Sequence, residues 1–201
     1  MIRAILFDLG NTIVPFDFRR GYLRMEKFCP WPASEIPARL KNTDLVRLFE
    51  TGAIEPRDFV HRLCAELDLQ MTYEEFCDLW TSIFLPGTLI PESLIASLAE
   101  RYRLVLVSNT NAIHFERIES AYPLLRHFHH HVVSYKVGAT KPSPAIYREA
   151  IALAGCAAGE CLFVDDLEVC VEGARRDGMD AVRFDCLSQL ERELHARGID
   201  C

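Results

Sequence analysis

The sequence predicts an α/β protein built on a parallel sheet, with a small helical insertion after the first strand. Two observations support this prediction. From about Glu92 onward, patterns typical of helices and strands alternate, whereas residues 16–84 contain helical patterns but no run typical of a strand. Alternation of this kind produces parallel strands joined by right-handed crossovers. We therefore expect a core domain of residues 1–14 and 90–201, interrupted by a helical cap of residues 15–89.

The first predicted strand is a run of apolar residues that ends at Asp8. A strand without polar alternation is typical of one that is buried on both faces. The stretch Leu9-Gly10-Asn11-Thr12 follows at once and is rich in residues that favour turns. Asp8 is thus predicted at the carboxyl tip of a buried strand, where open α/β sheets bind their ligands. An aspartate that only stabilises the turn is the alternative interpretation.

The insertion is predicted to contain at least two amphipathic helices. Residues 55–67 carry apolar side chains at a spacing of four, and residues 72–84 open with Thr72 and Glu75 in the arrangement of a capping box. Because both helices have an apolar stripe, we expect them to pack against each other.

The rest of the chain is predicted to alternate between the two types of element. Short apolar runs indicate the strands, and segments with helical periodicity lie between them. In chain order we expect helix 92–101, strand 103–107, helix 112–121, a short strand at 131–134, helix 144–154, strand 161–165, helix 168–177, strand 181–184 and helix 187–196.

Polar residues follow two of these later strands. The second strand leads into Ser108-Asn109-Thr110-Asn111, and the strand at 161–165 ends in the acid pair Asp165-Asp166. Each stretch also has an explanation of its own. Asn111 can be the N-cap of the next helix, and the two acids can be a solvated surface pair. Concentrated at the ends of strands, they also suit a binding site.

Lys141 is predicted to lie just before a helix N-terminus. Ser143 and Pro144 are favoured as the N-cap and the first residue of the helix that follows. Helix N-termini attract anions, so a lysine at this position suits an anion site.

Composition indicates a compact enzyme and argues against several classes of partner. The chain has 201 residues, half of them hydrophobic, and a formal net charge of −7, which disfavours nucleic acid as a partner. No signal peptide or membrane-spanning run is recognisable. The eight cysteines form no C-x-x-C pair. Reduced thiols in the cytoplasm are therefore expected, rather than disulfides.

The run His127-Phe128-His129-His130-His131 raises the question of a metal site, because imidazole binds transition metals. Consecutive residues at the entrance of a strand point to opposite faces, and no cysteine or acid stands at a matching spacing. We interpret the run as a surface cluster.

Four segments in order resemble the motifs of the haloacid dehalogenase-like hydrolases: FDLGNT, VLVSNTN, GATKPSP and FVDDLEVCVEGA. They span nearly the whole chain. The residues of these segments are most similar to those of the subgroup of small bacterial phosphatases typified by the α-D-glucose-1-phosphate phosphatase. The resemblance implies a Rossmann-like, doubly wound core with an inserted cap. It also implies a Mg²⁺-dependent phosphatase that acts on a small phosphorylated metabolite, such as a sugar phosphate, as a monomer or homodimer.

The resemblance also implies roles for individual residues. Asp8 would be the nucleophile that forms an aspartyl phosphate. Mg²⁺ would be held by Asp8, the backbone carbonyl of Gly10 and Asp166, with Asp165 beside them or as a further ligand. The phosphoryl oxygens would be bound by Ser108, Asn109, Thr110 and Lys141.

Two residues depart from the family pattern. Related phosphatases usually carry a second aspartate two residues after the nucleophile, as the general acid, and this chain has Gly10 there. Cys170 stands where Asp or Asn is common, and a thiol is a poor ligand for a hard metal ion. Two alternatives therefore stay open. One is a dehalogenase of 2-haloacids, whose halide leaves unprotonated, and the other is a catalytically impaired binding protein.

Overall fold

The computed structural model describes residues 1–200 and contains one parallel sheet of five strands in the order β3-β2-β1-β4-β5. The strands are β1 Ala4–Phe7, β2 Arg103–Ser108, β3 His130–Val133, β4 Cys161–Asp165 and β5 Asp180–Arg183. β1 is central, and Phe7 pairs with Leu106 of β2 and Val164 of β4. This register brings Asp8, the next residue, level with Asp165. The predicted α/β fold with a parallel sheet is confirmed.

Helices cover both faces of the sheet and bury it. Ile5, Phe7 and Leu106 face one core and Leu6, Val107 and Phe163 face the other, as the alternation along a strand requires. The helices of the sheet domain are α6 Glu92–Ala99, α7 Ala112–Ala121, α8 Ser134–Val137, α9 Pro144–Ala154, α10 Glu168–Arg176 and α11 Leu187–Ala196. The predicted elements match these to within two residues, and α8 is an additional helix that was not predicted. One difference is that the short strand predicted at 131–134 begins at His130, and Ser134 already belongs to α8.

The insertion folds into five short helices around an aromatic core. They are α1 Phe18–Met25, α2 Ile36–Asn42, α3 Leu45–Glu50, α4 Pro56–Leu67 and α5 Tyr73–Trp80. The ring of Phe59 stacks on Phe49 at 4.1 Å and meets the edges of Phe76 and Trp80. These contacts join α3, α4 and α5, and the predicted packing of α4 against α5 is observed.

Helix α5 is shorter than the sequence suggests. Both hydrogen bonds of the capping box between Thr72 and Glu75 are present at its start. Its α-helical part ends at Trp80, where a short 3₁₀ turn follows. The hydroxyls of Thr81 and Ser82 donate to the carbonyls of Cys77 and Leu79, at 2.8 and 2.6 Å. Such local bonds compete with continuation of the helix.

The two chain segments that connect the cap to the sheet run side by side. Phe16 and Phe84 form an antiparallel bridge, the Asp17 N–H donates to the Ile83 carbonyl, and the Leu85 N–H donates to the Pro15 carbonyl. These segments lie close to the ends of the predicted insertion. Within the described residues, no helix has the length and apolar character that crossing a membrane requires.

Candidate active site

The ends of β1 and β4 and the loop before α9 bring two aspartates and a lysine into direct contact at the carboxyl edge of the sheet. Lys141 Nζ lies 2.5 Å from Asp8 Oδ1 and 2.6 Å from Asp165 Oδ2. All three residues are buried. Charged groups are almost never buried without a partner, and here each has one of opposite sign. The three predicted positions therefore form a single ionic unit.

Asp8, Asp165 and Asp166 form an acidic cluster. Each offers a carboxylate oxygen, and these oxygens lie within 4.8 Å of one another. Both oxygens of Asp165 are already used, Oδ2 by Lys141 and Oδ1 by the Leu167 N–H at 2.9 Å. Asp166 is half-buried, and among the described residues no other residue donates a hydrogen bond to its carboxylate. Grouped carboxylate oxygens are the ligands that a hard divalent cation prefers.

Burial and like charge raise the pKa values of the acids in this cluster. For Asp8 burial has the largest effect, Lys141 opposes it and Asp165 adds to it, which brings the pKa of Asp8 to about 7. Burial and the neighbouring Asp165 also raise the pKa of Asp166. For Lys141, burial acts to lower the pKa, but Asp8 and Asp165 outweigh it, and the pKa rises above its usual range. Lys141 is therefore charged, and the site still favours additional positive charge.

The loop after β2 holds Lys141 in place. The Asn109 side chain donates to the Lys141 carbonyl at 3.0 Å and accepts from the Lys141 N–H at 2.7 Å. The Thr110 N–H donates to Ser134 Oγ, which in turn donates to the Thr110 carbonyl. Ser108 is buried at the tip of β2. The structure thus brings this loop to the lysine, with the Asn109 side chain and the Thr110 N–H engaged by protein groups.

Gly10 leaves room for an aromatic ring. A Cβ atom at this position would lie 2.6 Å from the Phe16 ring. The backbone of Gly10 does not have the positive φ that would itself require glycine. An aspartate at position 10, the usual general acid of the family, would therefore require Phe16 to move.

Cys170 packs beneath the site and does not belong to the acidic cluster. Its side chain is buried in the core under the sheet, and its carbonyl accepts a hydrogen bond from the Tyr147 hydroxyl at 2.7 Å. Burial raises the pKa of Cys170 to about 12, so the thiol is neutral. Its position explains why a small apolar residue is accepted there.

His114 joins the cap to the sheet domain, a role that the sequence did not reveal. Its Nε2 donates to the Trp80 carbonyl at 3.0 Å, its Nδ1 accepts from the Asn111 side chain at 3.1 Å, and its ring stacks on Trp80. Burial lowers the pKa of His114 to about 4. The only signal in the sequence was its place three residues after the N-cap Asn111.

The histidine run does not form a metal cluster. Among the described residues, the acidic cluster is the only group with metal-ligand geometry. The four histidines instead contact separate partners: His127 with Glu92, His129 with the Leu104 N–H, His130 with Arg103, and His131 with the Leu125 carbonyl.

A cavity of about 300 Å³ lies between the cap and the loops after β1 and β2. We call it the cap cavity. Gly10, Ser108 and Asn109 line its sheet side, and helices α1, α2, α3 and α5 supply most of its remaining wall. The cavity therefore adjoins the site that contains Asp8 and Lys141.

Sequence comparison agrees with this geometry. The family model described as haloacid dehalogenase-like hydrolase matches residues 2–176. The protein belongs to this family of hydrolases.

Similar proteins include enzymes named for their substrates. The chain is 28% identical over 172 residues to the D-ribitol-5-phosphate phosphatase of Bacteroides thetaiotaomicron, covering 83% of this chain and 84% of that protein. It is 26% identical over 198 residues to the glyceraldehyde 3-phosphate phosphatase of Methanopyrus kandleri, covering 92% and 84%. A magnesium complex of a family member from Bacteroides thetaiotaomicron superposes with a TM-score of 0.83 at 24% identity, covering 95% of this chain and 98% of that one.

Proposed function

We propose that the protein is a Mg²⁺-dependent phosphatase that hydrolyses a small phosphorylated metabolite through an aspartyl phosphate on Asp8. The observation that carries this proposal is the contact of buried Lys141 with both Asp8 and Asp165, next to the unpaired carboxylate of Asp166. This arrangement combines a nucleophile with groups able to neutralise a phosphoryl oxygen. The relatives named as phosphatases support the same reaction class.

In the first step, an Asp8 carboxylate oxygen attacks phosphorus, and the bond from phosphorus to the ester oxygen breaks. The electron pair of that bond remains on the leaving oxygen, which is protonated from water because Gly10 offers no acid. In the second step, water attacks the phosphorus of the aspartyl phosphate. Inorganic phosphate is released, the water loses a proton to solvent, and the Asp8 carboxylate is restored.

Lys141 serves this reaction by supplying fixed positive charge. Its ammonium group contacts the Asp8 carboxylate and is within reach of phosphoryl oxygens bonded to that residue. The Ser108 hydroxyl and the backbone N–H of Asn109 would bind the remaining oxygens, because the Thr110 N–H already donates to Ser134 Oγ. Because the donors are held by the fold, little reorganisation is needed when charge develops in the transition state.

The acidic cluster fits Mg²⁺. Asp8, the Gly10 carbonyl and Asp166 would hold the ion, and Asp165, already bonded to Lys141 and the Leu167 N–H, would lie beside them. When bound, Mg²⁺ would offset the repulsion between the phosphoryl group and the carboxylates. It would also lower the pKa of Asp8 and keep the nucleophile ionised.

The two alternative functions are less well supported. A haloacid carries no phosphoryl charge, so a dehalogenase has no use for three clustered carboxylates at its nucleophile. A binding protein without catalysis has no need of a nucleophile paired with a buried lysine. The relatives act, by name, on D-ribitol-5-phosphate and glyceraldehyde 3-phosphate, so membership of the glucose-1-phosphate phosphatase subgroup stays a prediction.

We also propose that the protein acts in the cytoplasm, as a monomer or homodimer. The seven described cysteines form no disulfide. Free thiols suit a reducing compartment.

An assay with an aryl phosphate in the presence and absence of Mg²⁺ tests the proposed reaction. Asp8→Asn should abolish Mg²⁺-dependent phosphate release, whereas the control Asp185→Asn, an exposed aspartate outside the cluster, should not. Hydrolysis that persists in Asp8→Asn, or that needs no divalent cation, would contradict the proposal.

A further inference from the structure

The size of the cap cavity limits the organic part of the substrate. The cavity measures about 300 Å³ and begins at Gly10, Ser108 and Asn109, beside the residues assigned to the phosphoryl group. An apolar protein cavity of about 150 Å³ encloses a benzene molecule. The cap cavity can therefore accept a ring-sized group with a substituent, attached to a phosphoryl group at the sheet edge.

The wall of the cavity is mainly apolar. Its cap side includes Met25, Leu40, Val46, Leu79 and Trp80, and Phe16 lies at its sheet side. His114 also lines it, but both of its ring nitrogens already have hydrogen-bond partners within the protein. On the cap side, only Tyr22, Lys41 and Glu50 among the described residues offer polar side-chain groups, so a chain with several hydroxyls would leave some of them without a partner, which costs free energy for every unpaired group.

Glu50 is the one acid among the residues that line this cavity. It is half-buried, and within the described residues its carboxylate forms no hydrogen bond or ion pair with a protein group. Burial raises the pKa of Glu50. The carboxylate of Glu50 is therefore available to accept a hydrogen bond from a ligand in the cavity.

The position of Glu50 is fixed against the sheet domain. Gly52, two residues further on, lies so close to the Tyr135 carbonyl that a Cβ atom would be 2.0 Å from it. Helix α3 and this turn are therefore held directly on helix α8, which follows β3. A substrate anchored by Asp8 and Glu50 would span from the sheet to a part of the cap that contacts it closely.

We propose that the substrate is a phosphate monoester whose organic part is a compact, ring-sized apolar group with one hydrogen-bond donor that reaches Glu50. This inference rests on the proposed phosphatase function and adds the class of substrate. It distinguishes the protein from relatives named for a polyol or sugar phosphate.

Three monoesters of primary alcohols test the proposal without a large change in leaving group. They are phenethyl phosphate, para-hydroxyphenethyl phosphate and D-ribitol-5-phosphate. We expect kcat/KM to be highest for the hydroxyphenethyl ester and at least about tenfold higher for either aromatic ester than for the ribitol ester, since matched apolar contacts discriminate by this amount. Equal or faster turnover of the ribitol ester would overturn the proposal.

Two variants with matched controls test the contacts. Val46→Phe narrows the cavity and should lower kcat/KM for both aromatic esters by at least about tenfold, whereas Leu23→Phe, on the exposed face of α1, should not. Glu50→Met removes the acceptor oxygens and should remove the preference for the hydroxyphenethyl over the phenethyl ester, whereas Glu66→Met, exposed on α4, should preserve it. If Glu50→Met changes both esters equally, the anchoring role is wrong.

Binding separates this inference from the proposed function. The affinity of the three esters for the Mg²⁺-loaded Asp8→Asn variant can be measured by calorimetry. Absence of turnover in the natural protein, together with tighter binding of the aromatic esters, would reject the phosphatase and keep the ligand class. Turnover without any preference for the aromatic esters would keep the phosphatase and reject the ligand class.

Discussion

Lys141 is the residue on which the electrostatics of the site depend. It is buried and lies between two carboxylates, with which it forms the contacts of 2.5 and 2.6 Å. Removing one partner of a buried ion pair leaves an uncompensated charge, which typically costs 3–5 kcal/mol, whereas exposed pairs contribute little.

We therefore expect Lys141→Met to lower the free energy of unfolding by about 3 kcal/mol in metal-free buffer and to abolish phosphate release. The exposed Lys136→Met is the control and should change neither. Urea denaturation measures the stability. A Lys141→Met protein as stable as the natural one would show that the two carboxylates do not need this partner.

The two adjacent acids are expected to differ in function, because Asp165 bonds to Lys141 and the Leu167 N–H while Asp166 has a free carboxylate. Asp166→Asn should raise the Mg²⁺ concentration for half-maximal activity by at least about tenfold, a typical effect of losing one carboxylate ligand, and leave the fold stable. Asp165→Asn should mainly lower stability. Two results would contradict this distinction: a larger effect of Asp165→Asn in the Mg²⁺ titrations, or a larger loss of stability for Asp166→Asn in the denaturation curves.

The sequence predicted most of the residues that meet at the site, because strand ends and the motif resemblance locate them without knowledge of packing. Asp8, Lys141 and Asp165 lie together as expected. The bonds of Asn109 to the Lys141 backbone and of Thr110 to Ser134 were not predicted. They join segments far apart in the chain, and no local pattern encodes such contacts.

In the loop after β1, the ring of Phe16 occupies the space that a side chain at position 10 would need. Gly10→Ala should lower the free energy of unfolding by about 1–3 kcal/mol, because the new Cβ would overlap Phe16. The same substitution in a Phe16→Ala background should cost less. A double-mutant cycle measures this coupling. Additive effects of the two substitutions would mean that Gly10 is not required by Phe16.

Helix α7 links the cap to the sheet through His114, and this contact should depend on pH. The unfolded chain takes up a proton near the ordinary pKa of 6.5, whereas the buried imidazole stays neutral down to about 4. The contribution of this pKa difference to the free energy of unfolding is complete above pH 6.5 and is lost as the pH falls towards 4. Its size is on the order of 3 kcal/mol, since one pKa unit corresponds to 1.36 kcal/mol.

Denaturation between pH 7 and pH 4 tests this prediction. His114→Gln should be less stable at neutral pH and should lose less stability on acidification than the natural protein. His195, which is exposed on α11, offers the control His195→Gln. If the natural protein and His114→Gln have parallel pH profiles, the imidazole does not carry the effect.

Helices with long, regular patterns were predicted closely, whereas α1, α2 and α3, the short helices at the start of the cap, were not. Helices α7, α9 and α11 begin and end as expected. Helices α2 and α3 have only seven and six residues, so a helical pattern hardly repeats within them. Helix α1 has only eight residues, and although Phe18, Tyr22 and Met25 recur at helical spacing, Phe18 is exposed, so two turns offer little pattern to recognise.

In the function proposed above, the sheet domain would supply the reacting groups and the cap would surround the organic group of the substrate. All the groups assigned to phosphoryl chemistry lie at the strand ends or on the loops of the sheet domain, while the cap contributes the larger part of the cavity wall. This division explains why the family motifs predict the reaction, whereas the substrate depends on the cap, whose short helices carry no recognised motif.

Identifying the phosphorylated residue tests directly whether Asp8 is the nucleophile. The protein is mixed with Mg²⁺ and an aryl phosphate, quenched with acid during turnover and digested, and the peptides are weighed by mass spectrometry. We expect one added phosphoryl group on the peptide that contains Asp8, and none in the Asp8→Asn variant. A phosphoryl group on another residue, or turnover in Asp8→Asn, would contradict the claim that Asp8 is the nucleophile.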